Sequence, residues 1–113
     1  MAFVDKSELI KKETRRLKKI FKDLEPNKLK TVDALIARAA FITVSLQELE
    51  EQLNRDGWVE EYQKGRNQSG LKKSAAAECH ISLTKNLSTI MKQLIDLVPA
   101  AQKESRLSAL MDA

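Results

Sequence analysis

The chain has 113 residues and a net charge of +4, with 42% hydrophobic but only 4% aromatic residues. That length supports one domain around one modest core, and three glycines and two prolines among many Ala, Leu, Lys and Glu favour helix over sheet. One cysteine excludes an internal disulfide and suggests a reducing compartment, no apolar run approaches the roughly 20 residues of a membrane span, and MAFVDKSELIKKE lacks an apolar signal core, so secretion is not expected.

The first predicted helix runs from about Ser7, a candidate N-cap, to Leu24, just before Pro26. Leu9, Ile10, Leu17, Ile20, Phe21 and Leu24 form its narrow apolar side. Lys11, Lys12, Arg15, Arg16, Lys18, Lys19 and Lys22 cover much of the rest. Residues 1–24 hold eight basic and four acidic groups, so the excess positive charge of the chain is concentrated here. A basic face of this kind suits a polyanion, and it is also compatible with an acidic protein partner or, as for most such faces, with a solvated surface.

The second predicted helix spans about Asn27 to Arg55, roughly 40 Å at 1.5 Å per residue. Pro26 suits its first turn, and Asn54 and Gly57 mark its exit. Val32, Leu35, Ala39, Ile42, Leu46, Leu49 and Leu53 recur at alternating spacings of three and four, which puts all of them on one seam. Ile36, Ala40, Phe41 and Val44 lie off that seam and widen the apolar surface beyond what one partner helix covers.

Residues 56–73 read as a polar, basic, glycine-containing loop, pinned at its start by a short extended segment around Trp58, Val59 and Tyr62. Within it, GRNQSGLKKS resembles a phosphate-binding loop, G-x-x-x-x-G-K-[ST]. That chemistry requires the lysine directly after the second glycine and the hydroxyl directly after the lysine, so that amine and hydroxyl reach phosphate and magnesium. Leu71 separates Gly70 from Lys72, and no buried strand precedes the motif, so the phosphate-binding reading fails. Lys64, Arg66, Lys72 and Lys73 remain as a second group of basic residues.

The third predicted helix starts after Ser74 and ends near Val98, before Pro99. Ala76, His80, Leu83, Leu87, Ile90, Leu94 and Leu97 repeat the seam spacing, and Ile81, Met91, Ile95 and Val98 form a second stripe. Two seamed helices of similar length, joined by a long loop, predict an antiparallel helical hairpin. Second stripes that no other helix covers mark an interface, so Phe41, Val44, Ile81, Met91, Ile95 and Val98 are the expected contacts of a homo-oligomer. A short, weakly amphipathic helix is expected over about Ala100 to Met111. The expected fold is therefore all-α: a basic N-terminal helix in residues 1–24, then a hairpin core in residues 25–113.

No catalytic constellation emerges. Cys79 and His80 are the sole residues of their types and are adjacent, so on a helix they point about 100° apart. Zinc needs three or four ligands, and a thiol–imidazole pair needs the ring to face the sulfur. The acidic groups Glu48, Glu50, Glu51 and Glu60, Glu61 define no pocket and read as solvated surface. No metal, cofactor or enzymatic activity is expected.

The run DGWVEEYQKGRNQSGLKKSAAAECHISLTKNLSTIMKQLIDLVP resembles the C-terminal core of phage terminase small subunits. In that family a polar loop with NQ-x-G-x-K-K-S leads into a helix with KN-x-x-x-I-x-K-Q-L-x-x-L-x-P. The matching residues here are Asn67, Gln68, Gly70, Lys72, Lys73 and Ser74, then Lys85, Asn86, Ile90, Lys92, Gln93, Leu94, Leu97 and Pro99. LEPNKLKTVDALIARAAFITVSLQELEEQL also resembles the family's long core helix, so the likeness covers roughly residues 20–99. It implies a non-catalytic protein of the host cytoplasm, often a ring, that recognises double-stranded viral DNA. It also implies a large terminase partner carrying the ATPase and nuclease, which the small subunit regulates. Several family members place a helix-turn-helix domain before the core; residues 1–24 are too few for one, so DNA contact is expected from the basic first helix or the basic loop. The competing expectation is a coiled-coil adaptor that binds proteins only.

Overall fold

A computed structural model describes residues 5–63 and 69–112. The chain is mostly helical, with four α-helices: α1 (Lys6–Ile20), α2 (Pro26–Asp56), α3 (Ala75–Asp96) and α4 (Lys103–Met111). Two short strands, β1 (Val59–Gln63) and β2 (Ser69–Lys73), lie between α2 and α3, and a 3-10 turn at Ala100–Gln102 leads into α4.

Helix α1 starts earlier than Ser7 would set. Asp5 is the N-cap, and its carboxylate accepts from the Ser7 backbone N–H at 3.4 Å. A carboxylate there also complements the positive end of the helix dipole. The helix stops at Ile20, earlier than expected, because the chain has to reverse before Pro26. Asp23 takes φ +66° in that reversal, and Phe21 and Leu24 are folded under as core residues instead of continuing the helix. Arg106 of α4 donates to the Ile20 carbonyl at 2.7 Å, satisfying an acceptor that the end of α1 leaves open.

Pro26 occupies the first turn of α2, and the chain leaves the helix at Gly57 with φ +89°. The N-cap of α3 is Ser74, whose hydroxyl accepts from the Ala77 N–H at 3.1 Å. Contacts between α2 and α3 run in opposite chain order: Lys28 donates to the Leu97 carbonyl at 3.4 Å, and His80 meets Glu50 at 3.1 Å. Helix α1 lies along the other side of α2, its start tied to Ser45 and Glu48 through Lys6. Leu17, Ile20, Phe21 and Leu24 share one core with Val32, Ile36, Ala39, Ala40, Leu94 and Val98. Residues 5–24 thus pack as part of the helical body.

Between α2 and α3, the expected extended segment around Trp58, Val59 and Tyr62 is strand β1, whereas residues 69–73, expected as loop, form a second strand. The two strands pair antiparallel, Val59 opposite Lys73 and Glu61 opposite Leu71. The Ser74 N–H closes the base of this ribbon on the Trp58 carbonyl at 3.0 Å. Trp58, Val59 and Tyr62 are strong strand formers, and Gly70 gives Tyr62 room: a Cβ at position 70 would stand 3.0 Å from the tyrosine ring. Short strands interrupted by glycines leave little periodicity to read, which is why the sequence pattern shows a loop. The whole is elongated, 63 × 36 × 23 Å.

Two of the expected oligomer contacts are corrected. Val44 and Val98 are each only 2% exposed within one chain. The second stripe of α2 is covered by α1 of the same chain, so Ile36, Ala40 and Val44 are inside, and Val98 joins the shared core. Phe41 and Ile81 do stay exposed, and Met91 and Ile95 are half-buried.

Candidate nucleic-acid interface

Helix α1 sorts its residues by face. Leu17 and Ile20 are buried against α2, while Lys11, Lys12, Arg15, Lys18, Lys19 and Lys22 are exposed. At 3.6 residues per turn, the five of these within α1, Lys11, Lys12, Arg15, Lys18 and Lys19, fall within an arc of about 120° on the side away from the buried face, and Lys22 follows just past the helix end. The buried face holds that arc in place, because rotating the helix would expose Leu17 and Ile20 to water.

Neutralisation within the chain is uneven. Arg16 is half-buried, pairs with Glu13, and contacts the Asp112 carbonyl at 3.5 Å. Lys11 is 3.6 Å from Glu8 on the next turn. Among the described residues, Lys12, Arg15, Lys18, Lys19 and Lys22 make no salt bridge. Lys6 points elsewhere, to Ser45 and Glu48 at 3.1 and 2.7 Å and over the Phe41 ring at 4.7 Å. The open cations therefore sit along the middle and C-terminal part of α1 and just past its end.

Lys72 lies 3.5 Å from Glu60 across the ribbon, Lys73 is exposed, and Lys64 and Arg66 lie outside the described residues. Leu17 and Ile20 share their core with Val32 and Ile36, near the start of α2, whereas the ribbon follows its end. From Ile36 to the end of α2 is about 20 residues of helix, or about 30 Å, and from Gln47, which lines a groove with Lys12, it is about 9 residues, or about 14 Å. Among the described residues, the fold does not bring Lys18 and Lys19 into one patch with Lys72 and Lys73. No protein family, curated protein or solved structure matches this chain. The site therefore has to be read from its own chemistry.

That chemistry is electrostatic. A row of unpaired amines and one guanidinium on a fixed helix can neutralise phosphates spaced along a backbone, and neutralisation releases condensed counterions. It supplies no base readout by itself. The remaining titratable residues are dispersed. Cys79 is exposed, and the His80 ring is engaged by the Glu50 carboxylate and, edge-on at 5.3 Å, by Trp58. Among the described residues, no three His, Cys, Asp or Glu side chains come together as a metal site, and no helix is long and apolar enough to cross a membrane.

Arg106 and the groove between α3 and α4 escape sequence reasoning. The acceptor of Arg106 is a backbone carbonyl 86 residues away, and nothing in a side-chain pattern marks it. The groove requires α4 to be placed, and α4 is too weakly amphipathic to announce where it packs.

Proposed function

We propose that this chain is the DNA-recognition small subunit of a phage packaging machine. It binds double-stranded viral DNA without catalysis and regulates a large ATPase and nuclease subunit in the host cytoplasm. In this reading α2 and α3 form the antiparallel hairpin core of a homo-oligomeric ring, and each copy presents α1 to the duplex. The observation that carries the reading is the exposed arc on α1, where Lys12, Arg15, Lys18 and Lys19, with Lys22 just past the helix, have no acidic partner among the described residues. The resemblance of residues 20–99 to terminase small subunits supplies the packaging context.

The contact is mainly to phosphate, so it sets affinity and register and leaves sequence choice to DNA shape or to the large partner. Lys11 and Arg16 contribute less than their neighbours, since each already has a carboxylate beside it. The test replaces Lys12, Arg15, Lys18 and Lys19 together by alanine, which preserves helix propensity. The expected result is weaker binding to duplex DNA and a shallower dependence of log affinity on log salt, by about 0.9 for each phosphate that the variant no longer neutralises. Unchanged affinity and slope would remove α1 as the DNA-binding element. Absence of wild-type DNA binding even at low salt would favour the protein-only adaptor.

A further inference from the structure

The surface between α3 and α4 holds an apolar groove of about 480 Å³. Leu87, Met91, Ile95, Leu107 and Leu110 line it, and Lys92 stands at its edge. Leu107 is half-exposed there, and Lys92 makes no salt bridge among the described residues. At the opposite end of α3, the ribbon presents Val59 and Leu71, 55% and 68% exposed. In the antiparallel register, Val59, Glu61, Leu71 and Lys73 lie on one face. That face packs on no core, both ribbon edges are open, and Glu61 makes no salt bridge among the described residues.

We infer that the ribbon of one copy docks into the α3–α4 groove of the next, with Leu71 and Val59 entering the groove and Glu61 meeting Lys92. The chain's own ribbon does not serve. Its root is held by the Ser74–Trp58 backbone bond and by the Trp58–His80 contact. The groove begins at Thr84, ten residues past Ser74 along α3 or about 15 Å at about 1.5 Å each, and continues to Ile95. A second copy also fits by charge. Residues 46–84 carry seven acidic and five basic groups, whereas residues 85–112 carry three acidic and four basic. Acidic end against basic end is a head-to-tail arrangement, in which copies attract in one orientation and repel in the reverse. Such a contact is heterologous, so repetition closes into a ring or extends as a filament. The inference rests on the oligomer reading above and assigns its two surfaces.

The test uses light scattering on the full chain over a range of concentrations, with helix content checked by circular dichroism. Leu71→Asp changes a ribbon side chain outside the core, so it leaves the helices intact. It should raise the dissociation constant about 30-fold or more, as removal of a central apolar anchor does. Glu61→Lys and Lys92→Glu should each weaken assembly at low salt, and the two together should restore it. Leu71→Asp mixed with Met91→Asp should stop at a dimer, because one intact ribbon then meets one intact groove. Wild-type oligomer mass in Leu71→Asp would overturn the docking while leaving a ring built by other surfaces. A wild-type monomer at every concentration would overturn both.

Discussion

Gly57 carries the turn out of α2 with φ +89° and ψ 166°, a region that residues with a Cβ avoid. No atom stands within 4 Å of where a Cβ would be, so a substitution is opposed by the backbone alone. Gly57→Ala should lower stability by about 1–3 kcal/mol, read as a lower urea midpoint at unchanged slope. Ser74→Ala removes the side-chain acceptor at the start of α3 and should cost about 1 kcal/mol in the same measurement. Ser74 is legible in the sequence because it directly precedes an apolar-periodic run. The cap of α1 is ambiguous at that level: Asp5 and Ser7 are both good caps two positions apart, and only the observed backbone selects Asp5. Arg106 shows a different blindness, since its partner is a carbonyl exposed by the way α1 ends.

At the scale of elements, the seams of α2 and α3 are readable because long amphipathic helices repeat their pattern over many turns. The fate of the second stripes is not readable. Apolar positions off a seam look the same whether a helix of the same chain or another molecule covers them, and here α1 covers Ile36, Ala40 and Val44. That makes α1 a structural element as well as a charged one. Phe21→Ala, at a side chain 2% exposed in the shared core, should cost about 3–5 kcal/mol. Destabilisation of that size should detach α1 from α2, and DNA affinity should fall with it although no cation is changed. Preserved affinity in a destabilised Phe21→Ala protein would show that α1 need not be docked to bind.

At the scale of the molecule, packing is graded from one end to the other. Three helices share the core at the α1 end, while the opposite end is two helices carrying a two-stranded ribbon. Apolar burial therefore falls toward the ribbon, and local opening should start there. Trp58 is the sole tryptophan and stands at the ribbon root beside His80. Its fluorescence should change at a lower urea concentration than far-UV ellipticity. Coincident transitions would mean that ribbon and body unfold as one unit.

The sequence by itself determined a mostly helical chain, the approximate span of its long helices, the seams and the concentration of positive charge before Pro26. Each of these is local or periodic, so it follows from propensity, capping and spacing along the chain. Only the tertiary structure decided which stripes are internal, which cations on α1 lack partners, that residues 59–63 and 69–73 pair as strands, and that α3 and α4 leave an apolar groove. Those outcomes depend on which surfaces meet across tens of residues, and the burial that chooses among them is a property of the packed chain.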